Sequence, residues 1–504
     1  MPVKPATKTA MPHRAPAERT RTFEEVNLGY TPARAAFEAS RCLQCQDPRC
    51  ESGCPVRVPI KAFVGCVAEG RLAEAFNLIR EANSLPAVCG RVCPQESQCE
   101  KECTLGGPSG LKYSPVGIGH LERFVADWAR DHRFSPSPLV GEVGRGPHTN
   151  ESPVDSRLHV ADQARVRGLK GPKVAIVGSG PSGLTAAGRL AQRGYRVTVF
   201  EALHEPGGVL RYGIPEFRLP KSVLDDEIAE LKASGVEIVC NIIIGKTLSL
   251  DQLMKEMKFK AVFIGTGAGL PRFLGVPGEN LNGVYSANEF LTRINLMKAF
   301  RFPEYDTPLK IGKRVAVVGA GNTAMDAVRS ALRMGAEEVH VVYRRSEKEM
   351  TAREEEFIHA KEEGVVFHWL SNPVRVVGSE AGWVTGLECQ PMQLGEPDAS
   401  GRARPVPDDL PTETLPVDTV VVAVGTSPNR LLTRGGALET TSWGGLVVRE
   451  DTAETSRPGV YAGGDAVTGA ATVILAAGAG RRAAEAIHAK LSGKKGVGNA
   501  RLAF

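Results

Sequence analysis

The chain has 504 residues, a formal net charge of +5, 42% hydrophobic residues and 24% charged ones. That length exceeds what one hydrophobic core usually serves, so about three domains are expected. A charge this small, spread along the chain, leaves no footprint for nucleic acid, and apolar runs such as RVAVVGAG and DTVVVAVGTS are far shorter than the roughly 20 residues of a membrane-spanning helix.

Residues 1–20 are basic, lack the apolar stretch of a signal peptide and contain prolines that oppose an amphipathic transit helix. A disordered arm on a cytoplasmic protein is expected there. Residues 21–134 read as helical with cysteine-bearing loops; Leu72, Ala75, Phe76 and Ile79 fall on one helical face before a proline ends the run. Nine of the eleven cysteines lie between Cys42 and Cys103. Without a secretory signal they point to metal rather than to disulfides, because cytosolic thiols stay reduced. Cys66 sits in an apolar helical stretch and reads as core, and Cys240 and Cys389 read as equally inert.

The thiols have a pattern. Cys42, Cys45, Cys50 and Cys54 form C-x2-C-x4-C-x3-C followed by Pro55, and Cys89, Cys93, Cys99 and Cys103 follow. Four thiolates suit zinc, yet a close run ending in Cys-Pro is the ferredoxin-type spacing whose fourth cysteine serves a second cluster. Two [4Fe-4S] clusters are expected, because redox nucleotide sites follow downstream. Residues 135–170 lose all periodicity and are rich in Pro, Gly and Ser, as a linker would be.

From Lys173 onward, short β-branched runs alternate with glycine turns and alanine-rich helices, the signature of βαβ units on parallel sheets. The unit occurs twice. In the first, Gly178, Gly180 and Gly183 form G-x-G-x-x-G around Pro181 and Ser182, and Glu201 closes the next strand, where a carboxylate accepts from a ribose hydroxyl. In the second, Gly319 and Gly321 precede Asn322, Thr323 and Ala324, and the following strand ends in Tyr343, Arg344 and Arg345. Guanidinium groups at that end favour a 2′-phosphate, hence NADPH over NADH. Near the C-terminus, Gly464 and Asp465 precede a helix starting near Thr472, placed to meet a flavin. Flavin-facing groups are expected in GGVLRYGIPEFRLP, including Gly208 and Arg211, and at Gly267.

The stretches VNLGYTPARAAFEASRCLQC, CGRVCPQESQCEKEC, GSGPSGL, EALHEPGGVLRYGIPEFRLP, GAGNTAMDA and AGGDAVTGAATVILAAGAGRRAA together resemble the small-subunit family of NADPH-dependent glutamate synthase. That family is shared with the electron-entry half of dihydropyrimidine dehydrogenase and with flavin transhydrogenase large subunits. The resemblance implies an all-α iron-sulfur domain followed by two Rossmann-like α/β three-layer domains: an FAD domain in two parts, 171–305 and 425–504, with an NADPH domain inserted at 306–424. It makes IGTGA at 264–268 and AVGTSPN at 423–429 the crossings. By analogy, Cys42, Cys45, Cys50 and Cys103 would hold one cluster. Cys54, Cys93 and Cys99 would hold the other, with Glu122 or Cys89 as eighth ligand.

The expected function is an oxidoreductase passing electrons from NADPH through FAD to the clusters and on to a partner. The first reading is a hetero-oligomer with a large glutamate synthase subunit. A different electron-acceptor protein, such as ferredoxin or a pyrimidine- or sulfur-compound-reducing subunit, is the second, and a scaffold that keeps the folds without activity is the third. No side chain stands out as a conventional catalytic residue.

Overall fold

The structure is a computed structural model that describes residues 6–106, 113–132, 169–398, 401–434 and 438–493. The expected linker lies outside the described residues except at 169–170.

Helices α1 (Pro16–Arg19), α2 (Pro32–Ser40), α3 (Arg49–Ser52), α4 (Ile60–Ala68), α5 (Leu72–Ala82), α6 (Pro86–Val92) and α7 (Ile118–Asp131) build the N-terminal region. α2 starts where Thr31 accepts from the Arg34 N–H at 3.3 Å and Pro32 takes the first helical position, which spends no donor. On α5, Ala75, Phe76, Ile79 and Ala82 are buried, whereas Leu72 only packs against the edge of that core. Cys66 is 3% exposed on α4.

Residues 6–20 are not a disordered arm. The Thr9 N–H donates to Glu38 at 2.7 Å, Lys8 pairs with Glu100 at 2.5 Å, and Arg19 is fully buried against Glu362 and Glu363. Basic composition suggested solvated chain. The cations instead meet carboxylates of elements far away in sequence, which no local pattern announces.

The second region begins with β1 (Lys173–Val177), α8 (Pro181–Gln192), β2 (Arg196–Phe200), α9 (Val209–Tyr212), α10 (Lys221–Ala233), β3 (Glu237–Val239), β4 (Ala261–Ile264) and β5 (Leu270–Pro271). It continues with β6 (Val284–Ser286), α11 (Ala287–Asn295), β7 (Arg314–Val318), α12 (Asn322–Arg333), β8 (Glu338–Tyr343), α13 (Glu354–Glu362) and β9 (Val366–Trp369). The strands β10 (Ser371–Gly378), β11 (Val384–Pro397), β12 (Ala403–Pro407), β13 (Glu413–Leu415), β14 (Thr419–Val422), β15 (Thr426–Ser427) and β16 (Val460–Ala462) follow, then α14 (Asp465–Thr468) and α15 (Val473–Ser492).

Two parallel five-stranded sheets result, β16-β4-β1-β2-β3 and β6-β14-β7-β8-β9. Val174 to Val177 and Val315 to Val318 are buried without interruption, as strands are when both faces are covered. β16 returns from far along the chain to pair with β4, so the first sheet is completed only after the second has been built. β6 departs from the expected division: its residues pair with Val420, Val421 and Val422 of the second sheet, although they fall within 171–305. A three-residue strand carries too little pattern to name its sheet. Antiparallel β10, β11, β12 and β13 form a separate layer. β5, just past the expected first crossing, pairs with β15 within the expected second one, through Pro271 and Thr426.

The core of the N-terminal helices is continuous with the first nucleotide region: Cys54, Cys93 and Leu121 belong to the same buried cluster as Leu184, Leu210, Ile474 and Ala477. Arg353 ties the same helices to the second unit, donating to the Arg91 carbonyl at 2.8 Å and to Gln95 at 2.9 Å.

Candidate functional site

The first glycine turn contains two kinds of glycine. Gly178 has φ +98°, and a Cβ there would stand 2.5 Å from the Gly265 carbonyl oxygen; one on Gly183 would stand 2.0 Å from that of Gly178. The chain itself requires both. Gly180 has an ordinary φ of −70°, and a Cβ there would meet nothing within 4 Å. Its glycine is explained by the close approach of something outside the chain, as a pyrophosphate approaches in dinucleotide folds. α8 starts at Pro181 without a side-chain cap, so its first-turn N–H groups are open to an anion. Ser182 is buried, and a Cβ on Gly464 would reach its Oγ at 2.9 Å.

The second turn repeats this. Gly319 has φ +128° and leaves room for the Ala423 carbonyl, 2.4 Å from where its Cβ would be. Gly321 has φ −97° and would meet only Thr351 Oγ1 at 3.5 Å, an ordinary contact. α12 is likewise uncapped; Asn322 accepts from the Arg353 N–H at 2.9 Å, Thr323 is exposed, and Ala324 is fully buried.

The strand ends differ. Glu201 accepts from the N–H and Oγ of Ser179 at one oxygen and from the Leu203 N–H, 2.9 Å away, at the other. It is thereby fixed beneath the first turn, with lone-pair capacity left at Oε1. Arg344 is exposed and makes no ion pair among the described residues. Arg345 does not stand beside it as a second free guanidinium: it is 6% exposed and donates to Asp398 at 2.5 Å and to the Ala403 carbonyl at 2.9 Å. β8 ends at Tyr343, so both arginines lie beyond the strand, and the antiparallel layer that captures Arg345 left no signal in the βαβ pattern.

Around the first turn, Gly208 has φ +54°, and a Cβ there would lie 2.7 Å from Gly180 Cα, so this loop closes directly on the glycine turn. Arg211, expected to face a cofactor, is buried against Asp225, Glu205 and the Pro206 carbonyl. Gly267 has φ +67° with open space beside it. Asp465 accepts from the Ala471 N–H at 3.3 Å, and burial pushes its carboxyl up to about 6. Thr472 caps α15 through the Leu475 N–H and also accepts from Gln98, the neighbour of Cys99, at 3.3 Å. Sequence reasoning missed two groups here. Tyr212 is half-buried near both Asp465 and Glu201, its hydroxyl pushed up to about 12 chiefly by desolvation. Lys221 is buried and drawn down to about 8, its Nζ donating to the Ile214 and Leu219 carbonyls and so holding the IPEFRL loop.

The thiols separate into two sets. Cys42, Cys45, Cys50 and Cys103 line one pocket with Leu43 and Leu105. Cys50 is pushed up to about 12, by burial first and then by Cys103 and Cys42. The second set is deeper: burial raises Cys54 to about 11 with Glu122 and Cys89 adding, and Cys99 is raised by burial, then by Glu100, Cys54 and Glu122. Cys93 is raised first by its hydrogen bond with Cys89. Asn83 organises the remaining positions, donating to Glu122 at 2.8 Å and accepting from Cys89 Sγ at 3.6 Å; burial lifts Glu122 to about 7. Thiols this crowded ionise together only against a positive centre. A pocket lined by four thiols is a donor set that an iron-sulfur cluster takes.

The geometry agrees with what known proteins share with the chain. Residues 19–134 match the family described as dihydropyrimidine dehydrogenase domain II, 4Fe-4S cluster, and residues 172–488 match pyridine nucleotide-disulphide oxidoreductase. The chain is 37% identical to the glutamate synthase [NADPH] small chain of Halomonas elongata, over 94% of this chain and 95% of that one. It is 42% identical to the NADP(+)-dependent formate dehydrogenase subunit beta of Moorella thermoacetica over 87% of this chain, but spans only 59% of that protein. Among solved structures, Mycobacterium tuberculosis FprA in complex with NADPH superposes with a TM-score of 0.52 at 21% identity, covering 64% of this chain and 86% of that one, a likeness of fold.

Proposed function

The chain belongs to the glutamate synthase small-chain family, an iron-sulfur domain joined to a pyridine nucleotide-disulphide oxidoreductase, and we propose that it takes electrons from NADPH by way of FAD and delivers them through two [4Fe-4S] clusters to a larger partner subunit. The observation that carries this is the contact between the start of α15 and the second thiol set. Gln98, beside Cys99, donates to Thr472, and a Cβ on Gly478 would lie 3.1 Å from the Pro55 carbonyl, next to Cys54. The deeper thiols therefore border the edge of the first nucleotide unit where Asp465 and Thr472 stand.

FAD fits the first unit. Gly180 leaves the space, α8 offers its N–H groups, Glu201 offers an acceptor for a ribose, and Asp465 and Thr472 flank the opposite end. When bound, a flavin accepts a hydride and releases electrons singly, chemistry that none of these side chains supplies. NADPH fits the second unit, with Gly321 giving clearance and Arg344 a guanidinium for the 2′-phosphate. Cys42, Cys45, Cys50 and Cys103 would hold one cluster, and Cys54, Cys93, Cys99 and Glu122 the other. Asn83 touches both candidates for the eighth ligand, Glu122 and Cys89, and Cys89 is the alternative to Glu122.

Protein purified anaerobically should contain about eight iron and eight sulfide per chain with one flavin, and its flavin should bleach with NADPH. With the large glutamate synthase subunit added, glutamine-dependent glutamate formation is expected. The 42% identity to a formate dehydrogenase subunit favours a second reading in which another acceptor replaces that subunit. NADPH oxidation that couples to such an acceptor and never to glutamine turnover would select it. Zinc in place of iron would overturn both readings.

A further inference from the structure

Away from the redox region, three metal-ligating side chains converge where the N-terminal segment crosses the second nucleotide unit. His13, His359 and Glu362 each present one ring nitrogen or carboxylate oxygen, and these three atoms all lie within 4.8 Å of one another. His359 and Glu362 stand three residues apart on α13, where side chains share a face. His13 comes from the stretch before α1, fixed by its bridge to Asn27, and its ring centre lies 5.4 Å from that of His359.

A second observation points to a ligand. His359 is 4% exposed, and its Nδ1 is buried without a hydrogen-bond partner among the described residues. His13 turns Nδ1 toward the Arg14 carbonyl at 3.2 Å. Arg19, an N–H donor, also lies 3.4 Å from that nitrogen, so Nδ1 is engaged on this side and Nε2 is the nitrogen left to ligate. Glu362 gives Oε2 to Arg19 at 2.6 Å, which leaves Oε1.

We propose that His13, His359 and Glu362 form a site for a borderline divalent cation of the zinc type, which would pin the N-terminal segment to α13. Two imidazoles and one carboxylate are a ligand set zinc accepts, with a water in the fourth position. The opposing charge is Arg19, whose guanidinium also lies 3.4 Å from His13 Nδ1. Glu363 lies 2.9 Å from Arg19 but also pairs with Arg329 and Arg333, so a cation at this site shares Glu362 with Arg19.

The test is a zinc chloride titration of the tag-free, flavin- and cluster-loaded protein by calorimetry, with zinc and iron measured after dialysis. One zinc per chain is expected without release of iron, together with slower tryptic cleavage after Arg14. His13→Ala, a change at an exposed position outside the redox region, should weaken zinc binding at least about tenfold and abolish the protection while leaving NADPH oxidation unchanged. Glu362→Gln should weaken binding as well. The proposal is overturned if the wild type takes up no zinc at one equivalent, if zinc enters only as iron leaves, or if His13→Ala binds zinc as the wild type does.

Discussion

The two glycine turns are nearly the same object. In each, the first glycine has a positive φ and would strike a carbonyl of a neighbouring strand if it carried a Cβ, at 2.5 Å for Gly178 and 2.4 Å for Gly319, while the second has an ordinary φ and clearance around it. What separates the units is the end of the next strand, a carboxylate at Glu201 and a free guanidinium at Arg344. The turn builds a place for a pyrophosphate, and the strand end chooses which nucleotide brings it. A motif written as three glycines thus mixes residues demanded by the chain with one demanded by its ligand.

Breaking that distinction should give the largest effects. Gly178→Ala and Gly319→Ala each combine a strained φ with a backbone overlap, worth about 1–3 kcal/mol apiece, so a loss of about 2–6 kcal/mol in stability is expected, visible as a fall in soluble yield and melting temperature. Gly180→Val, at the N-cap of α8, should cost the apoprotein no more than about 1 kcal/mol yet come off the column largely without flavin. If Gly180→Val unfolds the protein, or if Gly178→Ala is tolerated, the division of roles fails.

Legibility followed the range of the interactions. The glycine turns, the strand closing on Glu201 and the thiol spacing are local, and each could be read where it stood. The fate of Arg345 could not, because Asp398 lies 53 residues away on an inserted antiparallel layer. The ordered N-terminal segment was hidden for the same reason: Arg19 finds Glu362 across 343 residues. Tyr212 had one available signal, an aromatic inside a stretch already suspected of facing flavin. Lys221 had none, since a lysine at a helix start reads as solvated until its burial is known.

A smaller effect tests the first unit's second carboxylate. Burial raises Asp465 from 3.8 to about 6, so the folded protein prefers the protonated acid. That preference stabilises fully below the unfolded value and is lost as pH rises through about 6. At 1.36 kcal/mol per unit the ceiling is about 3 kcal/mol. The flavin-free wild type should therefore lose stability relative to Asp465→Asn between about pH 4 and pH 7, measured as the difference in unfolding free energy at each pH. A difference independent of pH would mean that the carboxyl is not desolvated and that the edge beside Thr472 is open to water.

The finest distinction lies between two neighbours in the second unit. Arg344 is free, and a charged hydrogen bond to a phosphate is worth roughly 1.5–3 kcal/mol, so Arg344→Ala should raise the Michaelis constant for NADPH about tenfold or more and leave that for NADH nearly unchanged. Arg345→Ala removes a bond to Asp398 instead. It should loosen the link between β8 and the antiparallel layer and affect both nucleotides alike, by less than Arg344→Ala affects NADPH. Equal losses for NADPH and NADH in Arg344→Ala would return that residue to the solvated surface. Selection for the 2′-phosphate would then rest with another cation near the second turn, and the contrast with Glu201 would describe charge without describing choice.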